Sequence, residues 1–166
     1  LDLMRVMDNI EAAQKNPGKI TGLETHFGQL DRLAGGLRGG DLIILAGRPA
    51  MGKTALALNI AEQCSLHNKD VAFFSLEMSR EQLAERLMLG SAEVDSGKAR
   101  IGKLEGDDFQ RIIGAAERLH GASLMIDDTP QITVPELRSR CRRLRRRTGL
   151  DLIVIDYLQL MRGTGD

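Results

Sequence analysis

Eight residues of this chain form a glycine-bracketed loop that ends in a lysine and a hydroxyl. Residues 47–54 read Gly-Arg-Pro-Ala-Met-Gly-Lys-Thr, the spacing G-x-x-x-x-G-K-[ST] of loops that hold nucleotide phosphates. The glycines let successive backbone N–H groups converge on phosphate oxygens. Lys53 adds a positive charge for the β- and γ-phosphates, and the Thr54 hydroxyl is a ligand for Mg²⁺. The sequence therefore predicts a site for a nucleoside triphosphate together with Mg²⁺.

The segments on either side of the loop agree with this prediction. Residues 41–46 form an apolar run that predicts a strand, and residues 55–64 favour a helix, whose positive N-terminal end attracts phosphate. A chance glycine-rich turn is the alternative, and eight ordered positions between a strand and a helix argue against it. The predicted nucleotide-binding residues are Gly47, Arg48, Pro49, Ala50, Met51, Gly52, Lys53, Thr54 and Ala55.

Two carboxylates follow apolar runs further along the chain. Asp156 comes after residues 152–155, and Glu77 comes after residues 71–76. In a parallel sheet the carboxyl ends of the strands meet at one edge, where ligands bind. Asp156 is therefore predicted to hold Mg²⁺ through a water, although a capping or surface aspartate is the alternative. Glu77 either orients and deprotonates the attacking water or complements the dipole of the helix beginning near Ser79, and its position alone leaves both interpretations open.

Other polar residues are weaker candidates for chemistry. Asp127 and Asp128 end a third apolar run and precede Thr-Pro, a pattern more typical of a turn than of a catalytic site. Gln159 lies just past Asp156 and is a candidate contact for nucleotide or for a neighbouring chain. The histidines, at positions 26, 67 and 120, are scattered along the chain and form no catalytic grouping.

The pattern of elements that must position these residues is an alternation of strands and helices. Apolar runs at 41–46, 71–76, 124–126 and 152–155 predict strands. Capping boxes at 79/82, 107/110 and 133/136 predict helix starts, and residues 91–106 read as an irregular connection. In the helix after residue 107, Phe109, Ile112, Ile113, Ala116 and Leu119 are expected to face the core. This order predicts an α/β fold with a mostly parallel sheet and helices on both faces.

Bulk properties set limits on the function. The 166 residues suit one domain, and 23 basic residues balance 23 acidic ones, so no overall charge favours nucleic acid or membrane. No apolar run is long enough to span a membrane, and the first residues lack a signal-peptide core, so we expect no membrane partner and a cytoplasmic protein. Cys64 and Cys141 occupy apolar helical positions without metal-type spacing and are expected to be reduced thiols.

Seven arginines lie between positions 138 and 147. They share a predicted helix with an apolar stripe formed by Val134, Leu137, Cys141 and Leu144, so the arginines are expected on the opposite face. A solvated basic face is one interpretation and contact with DNA phosphates is another.

Several longer motifs resemble one family. These are Thr-Gly at 21–22, Leu-Asp-Arg-Leu at 30–33, the phosphate loop, Phe-Ser-Leu-Glu-Met-Ser at 74–79, Ile-Asp-Asp-Thr-Pro at 126–130 and Ile-Asp-Tyr-Leu-Gln-Leu-Met at 155–161. Together they resemble the C-terminal ATPase domain of DnaB-type replicative DNA helicases, which are hexameric motors of the RecA-like class. The resemblance implies a RecA-like P-loop NTPase fold, with ATP as its nucleotide. It implies catalytic roles for Lys53, Glu77 and Asp156, with Glu77 as the base, and single-stranded DNA, a homo-hexamer, a primase and a helicase loader as partners.

The resemblance also implies an organisation. Residues 1–18 would be a linker helix and turn that pack on an adjacent ring subunit, and residues 19–166 the N-terminal part of the ATPase domain. The family's domain continues past the Asp156 strand, so we expect this chain to be a fragment that does not unwind DNA alone, with a gap in its sheet. A RecA-like recombinase or repair ATPase, and a non-enzymatic nucleotide-gated assembly module, are the alternatives. The Leu-Glu-Met-Ser segment argues against the first, and the set Lys53, Thr54, Glu77 and Asp156 argues against the second.

Overall fold

The structure, a computed structural model, describes residues 20–163 and six further positions, namely 3, 4, 7, 11, 14 and 15. Those six positions are helical. The linker was predicted over residues 1–18, and its other twelve positions lie outside the described residues. The boundary of the linker remains a prediction. By its internal contacts the chain divides into two compact units, Leu1–Ile44 and Leu45–Asp166, which are described in turn.

The first unit contains a short helix, α1 (Gly28–Ala34), held by a buried polar contact. Asp31 is buried, and its Oδ1 accepts hydrogen bonds from the backbone N–H (2.9 Å) and the hydroxyl (2.8 Å) of Thr25. An antiparallel bridge joins Leu23 to Leu37. Next to this bridge, a Cβ on Gly22 would lie 2.6 Å from the backbone carbon of Gly36, so the close approach of the two backbone segments requires glycine.

The second unit is built on a three-stranded parallel sheet in the order β2-β1-β3. The strands are β1 (Val71–Ser75), β2 (Leu124–Asp127) and β3 (Leu152–Asp156). The central strand β1 is buried throughout, as expected for a parallel strand that is covered on both faces. Alternate β1 residues Ala72 and Phe74 pack with Cys141 in one core cluster. The parallel α/β architecture predicted from the sequence is confirmed.

The helices of the second unit are α2 (Lys53–Leu66), α3 (Arg80–Ser91), α4 (Ser96–Arg100), α5 (Asp108–His120) and α6 (Val134–Arg147), with a 3-10 helix at Leu158–Leu160. α2 packs on β1 and β3, and α3 packs on α5. The residues of α6 that face the sheet join the Phe74 cluster, so α6 covers the face of β1 that carries Ala72 and Phe74. None of the described helices is long and apolar enough to cross a membrane.

Two predicted capping boxes are confirmed and one is wrong. Ser79 with Gln82 and Thr133 with Glu136 both form reciprocal caps. Asp107 precedes α5 but caps nothing with its side chain, because the neighbouring Asp108 turns inward and accepts the Glu105 N–H at 3.0 Å. The connection at 91–106 also differs from the prediction, since it contains α4.

The prediction for the buried face of α5 is only partly right: Ile112, Ala116 and Leu119 are half-buried, but two of the predicted residues are exposed. Phe109 is 61% exposed and Ile113 is 39% exposed. Ala115 is buried instead and packs with Leu89, Ala92 and Val94, with Ile112 against them. The small Ala115 allows α5 to approach α3 closely, so the face centred on it turns inward.

The run at 41–46 forms no strand, contrary to the prediction. The segment carries no ladder pairing in the described part of the chain. Its four aliphatic side chains, at 42–45, are 47–81% exposed. Aliphatic composition favours extended backbone, but a strand also needs a neighbour to take its hydrogen bonds, and no described segment offers one.

Candidate nucleotide-binding site

The predicted phosphate loop leads directly into α2. The N-cap residue Gly52 has φ 84°, a left-handed conformation that favours glycine. No side chain caps this helix, so its first N–H groups are available to a ligand at the positive end of the helix dipole. A Cβ placed on Gly47 would lie 3.3 Å from Cγ of Lys53, which shows that the lysine side chain folds back across the start of the loop.

A pocket of about 480 Å³ lies inside the loop, within the usual range for small-molecule sites. Five of the predicted binding residues line it, namely Gly47, Arg48, Met51, Gly52 and Lys53, together with Leu45, Ala46 and Leu56. Pro49, Ala50, Thr54 and Ala55 do not line this pocket. Thr54 is the second residue of α2 and is half-buried, whereas Ala55 is exposed.

The ends of β1 and β3 lie side by side. Ser75 is the register partner of Asp156, and the next backbone N–H, that of Leu76, donates to the Asp156 carbonyl at 2.7 Å. Glu77 follows immediately and is exposed. The two predicted carboxylates, Glu77 and Asp156, therefore leave the sheet at the same edge and on neighbouring strands.

Asp156 carries an unusual oxygen. The side chain is 7% exposed, and its Oδ2 is buried without a hydrogen-bond partner among the described residues. A buried carboxylate oxygen without a partner is costly, and such an oxygen suits a metal ion or a metal-bound water. No group of three or more histidine, cysteine, aspartate or glutamate side chains gathers around it in the described part of the chain. A single carboxylate oxygen fits Mg²⁺, which is held by few protein ligands together with waters and substrate phosphates.

Lys53 and the end of β3 are joined by an aromatic contact. The lysine Nζ lies 5.6 Å from the centre of the Tyr157 ring, within the range of a cation–π interaction. Tyr157 directly follows Asp156, and the peptide bond between them is cis. The contact thus brings the loop lysine to the strand end that carries the buried carboxylate. Gln159, in the 3-10 helix beyond, is exposed, and its role remains a prediction.

Glu77 lies in a tight turn that its neighbours hold. The buried Ser75 hydroxyl accepts a hydrogen bond from the Met78 N–H at 3.1 Å and donates one to the Met78 carbonyl at 2.7 Å. Ser79 then starts α3 with its capping box. The carboxylate of Glu77 makes no recorded hydrogen bond or ion pair with other described residues, so it is available to a ligand.

Asp127 and Asp128 have structural partners, as their turn-like sequence suggested. Asp127 accepts from the N–H (3.1 Å) and hydroxyl (2.7 Å) of Thr129 and from the Arg140 guanidinium. Burial opposes ionisation, but these hydrogen bonds outweigh it and hold the pKa of Asp127 below its usual value. The Arg80 N–H donates to Asp128 at 2.9 Å, and this bond is the main reason that the pKa of Asp128 is lowered.

The arginine-rich helix α6 departs from its prediction at two positions. Arg140 is half-buried because it pairs with Asp127, and Val134 is exposed. The other arginines of the run, at 138, 142, 143, 145, 146 and 147, are exposed as expected. The sequence gave no sign of the Arg140 contact, since its partner lies on a different strand.

A parallel sheet, a phosphate loop that opens a helix, and an aspartate at the end of a neighbouring strand together define a P-loop NTPase of the RecA-like class. Within this class, the family model described as "DnaB-like helicase C terminal domain" matches residues 22–166. The chain belongs to this family.

Known proteins agree with this assignment. The chain is 46% identical over 164 residues to the replicative DNA helicase DnaB of Geobacillus stearothermophilus and 44% identical over 164 residues to the replicative DNA helicase DnaC of Bacillus subtilis. Each alignment covers 98% of this chain and 36% of the relative, so the chain spans about a third of their length. Among solved structures, the ATPase domain of G40P aligns with a TM-score of 0.88 at 27% identity, covering 98% of this chain and 60% of that one. A DnaB-like replicative helicase, described with its interactions with primase, aligns with a TM-score of 0.89 at 30% identity, covering 99% and 41%.

Proposed function

We propose that this chain belongs to a subunit of a ring-shaped replicative DNA helicase, in which ATP hydrolysis between subunits drives movement along single-stranded DNA and separation of the duplex. One observation carries the proposal. The Leu76–Asp156 backbone bond (2.7 Å) and the Lys53–Tyr157 contact (5.6 Å) bring the loop lysine and both carboxylate-bearing strand ends together. Family membership favours a helicase over a recombinase, and an available Glu77 favours hydrolysis over a non-enzymatic module.

Each site residue has a distinct role in this proposal. The loop N–H groups and Lys53 bind and orient the phosphates of ATP. The Thr54 hydroxyl and, through a water, Asp156 would hold Mg²⁺, which neutralises phosphate charge when bound. Glu77 orients the attacking water and takes its proton. Its exposed position at the end of β1 leaves it free to reach that water once the nucleotide is in place.

The partners follow from the family. We propose a homo-hexamer, single-stranded DNA as the track, and a primase and a helicase loader as protein partners, with residues 1–18 as the linker to an adjacent subunit. A solved DnaB-like helicase described with its interactions with primase supports the primase. A replication protein with these partners acts where the chromosome is, which in bacteria is the cytoplasm.

The test is ATP turnover and strand separation by the complete gene product, with and without single-stranded DNA. We expect Glu77→Gln to lower kcat by roughly 100-fold or more while nucleotide binding persists, because a general base typically contributes a factor of that size. Lys53→Ala should weaken nucleotide binding itself. Glu85→Gln, an exposed glutamate on α3, is the matched control and should leave both properties unchanged. Undiminished hydrolysis by the Glu77→Gln protein would refute the assigned base, and the absence of any turnover would favour the assembly module.

A further inference from the structure

The loop after β2 is tied to the start of α3 by one side chain. Asp128 Oδ2 accepts the backbone N–H of Arg80 at 2.9 Å, and its Oδ1 lies 3.5 Å from the Arg80 guanidinium. Arg80 is the first residue of α3, three positions after Glu77. The bond therefore fixes the far end of the turn that carries Glu77.

The near end and the middle of this turn are fixed by separate contacts. Leu76 donates its N–H to the Asp156 carbonyl at 2.7 Å. The Ser75 hydroxyl forms hydrogen bonds with both the N–H and the carbonyl of Met78. Glu77 itself has no side-chain partner in the described residues. The position from which its carboxylate extends is thus set by how the backbone on both sides is held.

The Asp128 contact is not needed to start the helix. Ser79 Oγ already accepts the Gln82 N–H at 3.3 Å, and Gln82 Oε1 accepts the Ser79 N–H at 3.1 Å. This local capping box satisfies the N–H groups of Ser79 and Gln82, whereas the N–H of Arg80, another donor at the same helix start, is bound by Asp128. Asp128, in contrast, reaches Arg80 across 48 positions of sequence. The consequence of such a long-range bond is to tie two loops together.

The loop that carries Asp128 is itself firmly held. Asp127 accepts hydrogen bonds from Thr129 and from Arg140 of α6, and Arg140 also donates to the Thr129 hydroxyl at 2.7 Å. Asp128 therefore extends from an anchored support toward the turn at 76–79.

We propose that Asp128 is a positioning residue for Glu77 in ATP hydrolysis. It acts through the Arg80 N–H and the turn at 76–79, and it does not touch the substrate. The inference rests on the proposed function, in which Glu77 activates water, and it adds a residue of the loop after β2 to that machinery. The resemblance and the turn-like sequence gave Asp128 no such role.

The test is steady-state ATP hydrolysis by variants of the complete gene product. Asp128→Ala should lower kcat by about 10- to 100-fold, the size expected when a reacting group moves by about an ångström, with KM changed by less than about twofold. Asp128→Asn should keep most of kcat because its amide oxygen still accepts the Arg80 N–H. Arg80→Ala should also keep kcat, since it removes only the exposed guanidinium. Asp128→Glu keeps the charge but lengthens the anchor, so it should fold and still lose kcat.

A matched control is Asp95→Ala. Asp95 accepts the Lys98 N–H at 2.8 Å at the start of α4, so this change removes a similar cap bond away from the turn at 76–79. It should leave kcat unchanged. Equal losses of kcat in the Asp95→Ala and Asp128→Ala proteins would mean that general destabilisation is the cause and would overturn the proposal.

The double variant Glu77→Gln/Asp128→Ala tests the route of action. If Asp128 acts through Glu77, adding Asp128→Ala to Glu77→Gln should change the residual rate by less than about twofold, because residues acting as a unit are not additive. Multiplied effects, an unchanged kcat in Asp128→Ala, or no recovery in Asp128→Asn would each refute the positioning role. A fully active Glu77→Gln protein would instead refute the proposed base, so the two failures are distinguishable.

Discussion

The buried carboxylate of Asp156 should stabilise the protein only when Mg²⁺ and nucleotide are bound. The perturbation is Asp156→Asn, which keeps the shape of the side chain and removes its charge. In the protein without ligand, Oδ2 is buried and without a partner in the described part of the chain. The wild-type chain thus carries an unfavourable group that the variant partly relieves.

The magnitude follows from the burial. An unsatisfied buried polar atom costs about 1–3 kcal/mol, and more when charged. Because the amide that replaces the carboxylate is itself polar, we expect the variant to recover only part of this cost, about 1 kcal/mol of unfolding free energy. In a domain of this size that raises Tm by about 2–4 °C. With ligand at 100 times its Kd, binding raises the unfolding free energy of the wild type by about 2.7 kcal/mol. The Asp156→Asn variant should lose most of the share of this stabilisation that depends on Mg²⁺.

The assay is thermal unfolding of the complete gene product, alone and with Mg²⁺ and a slowly hydrolysed ATP analogue. The sign of the difference should reverse: the Asp156→Asn protein unfolds at a higher temperature than wild type without ligand and at a lower one with it. Glu85→Gln, exposed and remote from β3, is the control and should follow the wild type in both conditions. A variant that is less stable without ligand, or that keeps the full Mg²⁺-dependent rise, would refute this reasoning.

Two further predictions concern stability alone. The backbone N–H and the hydroxyl of Thr25 both donate to the same oxygen of Asp31. Asp31→Ala should therefore lower the unfolding free energy by roughly 2–4 kcal/mol, and Asp31→Asn, which keeps an accepting oxygen, by about 1 kcal/mol or less. Urea denaturation measures both losses, and equal losses would contradict the role given to these two hydrogen bonds. Burial raises the pKa of Glu62 despite a Ser91 hydrogen bond and the charge of Arg118, so the folded state binds this proton more tightly than the unfolded state. The unfolding free energy of wild type minus that of Glu62→Gln should therefore fall as pH rises from the ordinary glutamate pKa through the raised one, as urea titrations at several pH values would show; a difference that grows with pH would contradict it.

Local patterns allowed much of the fold to be predicted. The loop at 47–54 and the two confirmed capping boxes each depend on residues within a few positions of one another, so their chemistry is visible in the sequence. The Asp107 box was wrong: the Asp107 side chain caps no N–H of α5 and lies near the Arg111 guanidinium instead. The strand predicted at 41–46 was wrong because pairing depends on distant segments, whereas strand propensity does not.

The same distinction between local and long-range signals applies to the candidate site. The types of its residues were predicted, and parallel-sheet geometry correctly placed Glu77 and Asp156 at one edge. The side-chain contacts that support them were not predicted. The Lys53–Tyr157 and Asp128–Arg80 contacts each join residues far apart in the sequence, and neither has a local signature. Arg140 was assigned to the solvent face by periodicity alone, and its partner on β2 became evident only in three dimensions.

The aliphatic run at 42–45 bears on how the protein behaves in concentrated solution. Four adjacent aliphatic side chains are exposed, and their backbone forms no ladder hydrogen bonds with the described residues, as at the unpaired edge of a sheet. Two such segments from different molecules can satisfy one another's backbone groups and bury their side chains in the same step. We therefore expect preparations in which this run stays uncovered to be prone to precipitation.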